Sequence, residues 1–206
     1  MIRIVVADDQ TLIRTALATT LAIEDDLTVV GQAGTCAEAV EVCAETRPDV
    51  VLLDVQMPDG GLPAEDGIEA LPALLAGAPA AKVVVLTTFG RPGYLRRAME
   101  AGAVGFLVKD TPIDRLIEGI RKAASGLRVV DPDLAVASLS IGACPLSERE
   151  ALVLAASAGG ASTGAIAATV HLSEGTVRNY LSSAISKLGA RNRAEALRLA
   201  TENGWV

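Results

Sequence analysis

The chain has 206 residues, half of them hydrophobic, and its 18 basic and 25 acidic residues give a net charge of −7. That length allows one large or two small domains, each able to bury a core. No apolar stretch approaches the roughly 20 residues that a membrane-spanning helix needs, and the first residues lack the pattern of a secretory leader. We therefore expect a cytoplasmic protein that does not enter a membrane.

The charge is unevenly distributed along the chain. Residues 1–133 carry a net charge of −8, whereas residues 134–206 carry +1. The three cysteines, Cys36, Cys43 and Cys144, form no C-x-x-C pair, which argues against a disulfide framework or a zinc site. An acidic half is therefore joined to one with a basic end.

The first 126 residues alternate apolar strands with helices. Strands are predicted at 2–7, 27–33, 50–53, 82–86 and 104–108, with a helix after each. Pro72 predicts a kink or a break in the third helix. This alternation indicates a five-stranded, doubly wound parallel sheet covered by helices on both faces.

Polar residues follow four of these strands. Right-handed crossovers bring the carboxyl ends of all the strands to one edge of the sheet, which is where open α/β folds place their chemistry. Five side chains should meet there: Asp8, Asp9, Asp54, Thr87 and Lys109.

Three clustered carboxylates repel one another unless a hard cation offsets their charge, and oxygen ligands of this kind suit Mg²⁺. We predict Asp8, Asp9 and Asp54 as its ligands and Asp54 as a nucleophile that accepts a phosphoryl group. Mg²⁺ and the Lys109 ammonium would offset the incoming charge, and the Thr87 hydroxyl would hydrogen-bond the product. The alternative for Asp54 by itself is a cap on the following loop.

The rest of the chain is predicted as a linker, residues 127–143, and a second domain, residues 144–206. Capping patterns predict four helices in the second domain, and the tight turn at 171–173 between two of them is a helix-turn-helix arrangement.

The first domain, residues 1–126, resembles the receiver domain of two-component response regulators. The matching residues are Asp8-Asp9, Asp54 with Met57-Pro58, Thr87, and Lys109 preceded by Phe106. The resemblance implies that a histidine kinase phosphorylates Asp54 and that Thr87 and Phe106 form the switch pair. Phe106 stands where tyrosine is common, so it can pack inward but cannot donate a hydrogen bond. The loop at 59–66 is longer than the family's usual turn, which leaves the mouth of the site undefined.

The second domain looks like the LuxR-type DNA-binding domain, and the two together resemble the NarL/FixJ class. The residues that carry this are L-S-E-R-E at 146–150, L-S-E-G-T-V-R-N-Y at 172–180 and K-L-G at 187–189. Arg178 and Asn179 have side chains that can pair with base edges in the major groove. Lys187 and Arg191 are predicted to contact phosphate. The predicted DNA-binding residues are Thr176, Arg178, Asn179, Ser182, Lys187 and Arg191. A local resemblance at 86–94 is to the regulator of the lipid-desaturase, membrane-fluidity system.

The resemblance implies a homodimer, formed on phosphorylation, that binds paired DNA half-sites. The dimer face is predicted on apolar residues of the first and last helices of the receiver: Leu12, Ile13, Leu17, Ile113, Leu116 and Ile117.

Other functions are weighed against this one. Haloacid-dehalogenase-like phosphatases also use an Asp nucleophile with Mg²⁺, but they have a second Asp as acid/base where this chain has Gln56, so we expect no enzyme. A regulator independent of phosphorylation would lack one of the acidic residues or Lys109. A helical module that serves protein dimerisation alone stays open, and salt-dependent DNA binding distinguishes it.

Overall fold

The computed structural model describes residues 1–62, 64, 66–88, 90, 92–140 and 144–206. The chain forms two compact units, one made of residues 1–90 and 95–135 and the other of residues 91–94 and 136–206. The predicted fold class, a doubly wound parallel sheet with a small helical domain, is confirmed. None of the helices in the described ranges is both long and apolar enough to span a bilayer.

The sheet contains six parallel strands. They are β1 (Ile2–Ala7), β2 (Leu27–Ala33), β3 (Val50–Asp54), β4 (Lys82–Thr87), β5 (Gly105–Val108) and β6 (Val129–Val130), in the order β2-β1-β3-β4-β5-β6. The predicted number of five is therefore wrong by one. β6 lies in the segment predicted as linker, where Val129 and Asp131 donate backbone hydrogen bonds to the free edge of β5. Two residues are too few to give a periodic hydrophobic pattern.

In the described ranges, each of these strands is followed by a helix. The helices are α1 (Thr11–Leu21), α2 (Cys36–Thr46), α3 (Gly67–Gly77), α4 (Pro92–Glu100), α5 (Ile113–Ala124) and α6 (Pro132–Ser140). Thr35 and Asp66 cap α2 and α3 by accepting from the backbone N–H three residues on. The break predicted as one alternative to a kink at Pro72 does not occur, because α3 runs through that residue. Burial of Ile68, Leu71 and Leu74 offsets the one lost backbone hydrogen bond.

The core of the first unit holds the strands in register. Val50 and Leu52 of β3 are buried with Ile4 of β1, Val84 of β4 and Ile120 of α5. All five residues of β3 are buried, as expected for a central strand of a parallel sheet. The sheet is therefore a fixed base for the side chains at its carboxyl edge.

The second unit contains four further α-helices, α7 (Glu148–Ala155), α8 (Thr163–Thr169), α9 (Glu174–Lys187) and α10 (Arg193–Glu202), and a short 3₁₀ helix at Ala158–Gly160. Its core includes Val153, Leu154, Ile166, Val177 and Ala184. Two residues after the end of α8, His171 has φ +53°, and the Leu172 N–H donates to the Ala167 carbonyl. This Schellman-type turn leads into α9.

Candidate functional site

The carboxyl ends of β1, β3, β4 and β5 bring acidic, hydroxyl and ammonium groups to one place. Asp8 follows β1, Asp54 ends β3, Thr87 ends β4 and Lys109 follows β5. Asp8, Asp54 and Thr87 are buried, with Asp54 only 2% exposed, while Asp9 is exposed at the surface. The site is thus a polar cluster at the end of an apolar sheet.

Lys109 joins two of the carboxylates. Its Nζ lies 2.7 Å from Asp8 Oδ2 and 2.8 Å from Asp54 Oδ2, and its side chain is 9% exposed. Burial raises the pKa of Asp54, and Lys109 opposes this shift in part. Burial lowers the pKa of Lys109, but its hydrogen bonds to Asp54 and Asp8 outweigh that, so the net shift is upward. The ammonium therefore stays charged and offsets the two buried carboxylates.

The three acidic side chains are placed to hold a cation. One ligand atom from each of Asp8, Asp9 and Asp54 can be chosen so that all lie within 4.8 Å of one another. Asp54 Oδ1 is buried and has no hydrogen-bond partner in the described part of the chain. Three carboxylates with one oxygen unused are a suitable donor set for Mg²⁺, which prefers oxygen ligands and keeps several waters.

Phe106 is completely buried in β5, opposite Val85 of β4. Thr87 lies further along β4, opposite Val108, and its backbone carbonyl accepts from the Lys109 N–H at 2.8 Å. The two residues of the predicted switch therefore occupy adjacent strands of the sheet.

The long loop after β3 is attached to the start of α2. The carbonyls of Pro58 and Asp59 accept from the N–H groups of Cys36 and Ala37 at 2.9 and 3.0 Å. Gly60 has φ +64°, and a Cβ there would come within 2.6 Å of Thr35 Oγ1. The first residues of the extended loop thus satisfy free donors at the start of α2, a contact that loop length alone did not predict.

Gly67 is a further site residue that the sequence did not identify. It opens α3, and its N–H donates to the Val55 carbonyl at 2.9 Å. A Cβ on Gly67 would lie 2.0 Å from the backbone carbonyl oxygen of Asp54. Only glycine allows α3 to begin this close to the end of β3.

We expect Gly67→Ala to lower the free energy of unfolding by about 1–3 kcal/mol, because the new methyl group must displace backbone next to Asp54. Phosphorylation at Asp54, the acceptor predicted from the sequence, should slow as well. Urea unfolding and phosphotransfer assays measure the two effects. Gly77→Ala at the other end of α3 is the control, since the nearest atom to its Cβ would be Ala44 Cβ at 3.3 Å. Equal effects of both substitutions would contradict the steric explanation.

The predicted DNA-binding residues differ in their surroundings. Arg178, Asn179 and Ser182 are exposed along one side of α9, opposite the buried Val177 and Leu181. Thr176 is half-buried, and its hydroxyl lies 2.8 Å from that of the N-cap residue Ser173.

Arg178 forms an exposed ion pair with Glu174 at 3.4 Å, and the other two predicted contacts are also paired with acidic groups. Arg191 is exposed beyond the end of α9 and forms a 3.0 Å ion pair with Glu195. The Lys187 ammonium lies 2.7 Å from Glu150 on α7. Glu150 is thus another residue that the sequence did not identify as part of this region.

Two family models match the chain. The response regulator receiver domain matches residues 4–121, and the luxR family of bacterial regulatory proteins matches residues 144–200. The uncharacterized transcriptional regulatory protein YvfU of Bacillus subtilis is 42% identical over 206 residues, the whole of both chains. DesR, a transcriptional regulatory protein of the same organism, is 40% identical over 205 residues and covers 100% of this chain and 99% of its own.

A solved structure is similar along the whole chain as well. The response regulator ChrA, from a heme-sensing two-component system, has 34% identity and a TM-score of 0.57, covering 100% of this chain and 98% of its own.

A buried acidic site on a parallel sheet, joined to a helix-turn-helix domain, defines a signal-dependent transcription regulator. The chain belongs to the NarL/LuxR-type two-component response regulators, with a receiver domain followed by a LuxR-type DNA-binding domain. The family resemblance predicted from the sequence is confirmed, and the similarity to DesR extends along the whole chain.

Proposed function

We propose that Asp54 accepts a phosphoryl group from the phosphohistidine of a cognate sensor kinase. A carboxylate oxygen of Asp54 bonds to phosphorus, the nitrogen–phosphorus bond breaks, and the histidine nitrogen keeps the bonding electron pair. The observation that carries this proposal is the state of the Asp54 carboxylate, with one oxygen bound by Lys109 and the other buried without a partner in the described ranges. A buried carboxylate oxygen without a hydrogen-bond partner suits both a metal ligand and a nucleophile, and Asp54 is proposed to be both.

We further propose Asp8, Asp9 and Asp54 as ligands of Mg²⁺. When bound, Mg²⁺ offsets negative charge on the arriving phosphoryl group. Lys109 supplies a second positive charge 2.8 Å from Asp54, and Thr87 and Phe106 respond to the phosphorylated state. Gln56 is exposed and cannot act as a general acid/base, so turnover of outside substrates is not part of the proposal.

The DNA-binding function is proposed to reside on the exposed side of α9. Arg178 and Asn179 have side chains that pair with guanine and adenine edges, and Ser182 continues the same surface by one turn. Thr176 and Arg191 lie at its margins and would contact the phosphate backbone. The functional boundaries are proposed at residues 1–126 for the receiver, 127–143 for the linker and 144–206 for the DNA-binding domain.

A dimer of receivers is proposed to present two copies of α9 to paired half-sites. Leu12 on α1 is 83% exposed, and Ile113 on α5 is also exposed, which supports an apolar contact between copies. The predicted dimer face needs one correction. Leu116 and Ile117 are buried in the core of the receiver and are not available to a partner.

Phosphorylation is expected to convert the monomer to a dimer with higher affinity for duplex DNA. The full chain, incubated with Mg²⁺ and a small-molecule phosphoryl donor, should gain one phosphoryl group by intact-mass spectrometry and double its mass by light scattering. The same mixture without Mg²⁺ should stay unmodified and monomeric. Full phosphorylation with an unchanged mass in solution would refute the dimer step, and DNA binding that does not depend on phosphorylation would favour a phosphorylation-independent regulator.

A further inference from the structure

The carboxylate of Glu150 connects the first helix of the DNA-binding domain to its recognition helix. Glu150 is 5% exposed and lies in the first turn of α7, where it completes a capping box with Ser147. Its Oε2 accepts from Ser147 N at 2.6 Å, Ser147 Oγ at 2.9 Å and Lys187 Nζ at 2.7 Å. Its Oε1 accepts from Ser183 Oγ at 2.6 Å. One buried carboxylate is thus fully satisfied by two helices.

The two partners on α9 lie one turn apart. Ser183 and Lys187 occupy the side of α9 that faces α7, next to the exposed residues Arg178, Asn179 and Ser182. Glu150 sits at the positive end of α7 and Lys187 at the negative end of α9, so both charges also favour their helix termini. Four donors hold the pKa of Glu150 at about 2, led by the bond from Lys187, so the carboxylate is ionised at physiological pH.

We propose that Glu150 is a positioning residue for DNA binding, which fixes the second half of α9 against α7 and holds the Lys187 ammonium in an ion pair. This inference rests on the proposed DNA-binding role of α9. It changes the role expected for Lys187. The Lys187 ammonium pairs with Glu150 and does not contact a DNA phosphate.

A competition between two anions supports this assignment. If Lys187 turned to a phosphate, Glu150 would remain ionised, buried and short of its only cationic partner in the described ranges. Removing one partner of a buried ion pair is costly, whereas a contact between an exposed lysine and a phosphate is screened by water and salt. Lys187 is 42% exposed, so part of its side chain contacts solvent while its ammonium pairs with Glu150.

The salt dependence of DNA binding tests the inference. Each phosphate contact contributes about 0.9 to the slope of log affinity against log salt. The full chain is titrated with a random-sequence duplex at several salt concentrations. Lys187→Gln should lower the affinity by about tenfold at every salt concentration, because α9 loses a charged hydrogen bond that orients it, and should leave the slope unchanged.

Two further variants should change the slope of log affinity against log salt in opposite directions. Arg191→Gln at the margin of α9, where the proposed function places a phosphate contact, should reduce the slope by about 0.9 for each bound protomer. Glu150→Gln should make the slope steeper by up to about that amount, because it frees the Lys187 ammonium for DNA. Melting curves followed by Trp205 fluorescence confirm that each variant is folded.

The outcomes separate this inference from the function on which it rests. A slope reduced by about 0.9 in Lys187→Gln would overturn the inference and make Lys187 a phosphate contact. If Glu150→Gln fails to fold, the slope of the exposed Lys187→Gln variant decides by itself. Absence of salt-dependent binding by the wild-type chain would overturn the DNA-binding role of α9 and leave the helical module as a protein-dimerisation domain.

Discussion

Asp54→Asn should leave the protein folded and abolish its phosphorylation. The amide of Asn has nearly the shape of the carboxylate but is not a nucleophile that can form an acyl phosphate. The fold should tolerate the change, because burial already raises the pKa of Asp54 and so opposes its charge. Intact-mass spectrometry after incubation with Mg²⁺ and a phosphoryl donor measures the loss, and circular dichroism checks the fold.

Asp59→Asn is the matched control for this experiment. Asp59 is an exposed carboxylate in the loop that follows β3, and its backbone carbonyl accepts from the Ala37 N–H of α2. That variant should be phosphorylated to the same extent as the wild type. Incorporation of phosphate into Asp54→Asn at the wild-type level would show that another residue is the acceptor and would refute the proposed role of the sheet edge.

The sequence predicts this site because the topology of a parallel sheet leaves little freedom. Once the apolar runs before Asp8, Asp54, Thr87 and Lys109 are recognised as strands, their carboxyl ends must share an edge. The positions of these residues follow from strand polarity and need no knowledge of side-chain packing. The same argument gives no distance, and the bonds of 2.7 and 2.8 Å from Lys109 come only from the structure.

Contacts between residues distant in sequence are what the sequence analysis missed. The capping pattern correctly places Glu150 at the start of α7, but Ser183 and Lys187 follow 33 and 37 residues later. Their approach depends on how α7 packs against α9. Gly67 is similar, because its need for glycine arises from the Asp54 carbonyl, 13 residues earlier in the chain. β6 was missed for a different reason, since its pairing depends on a free strand edge.

Lys109→Met should destabilise the receiver by about 3 kcal/mol at neutral pH when divalent cations are removed by a chelator. The substitution keeps much of the side-chain volume but leaves Asp8 and Asp54 buried without their ammonium partner. Urea unfolding monitored by circular dichroism measures the difference. Lys122→Met on the exposed surface of α5 is the control, because its ion pair with Glu118 lies in solvent, and its stability should stay close to that of the wild type.

The pH dependence of this difference identifies its cause. The folded-state pKa of Asp54 is raised, so ionisation of Asp54 opposes folding above its pKa in the unfolded chain. Loss of Lys109 raises the folded-state pKa of Asp54 further. As pH falls toward 4, Asp54 takes up a proton in the folded variant and the gap to the wild type should narrow. The folded-state pKa of Lys109 is also raised. The stabilisation by its ammonium is therefore complete below about pH 10.4, the pKa of lysine in the unfolded chain, and is lost as the pH rises through the higher folded-state pKa. A stability difference that stays constant from neutral pH to pH 4 would mean that Lys109 stabilises the receiver by packing and not by offsetting the charge of Asp54.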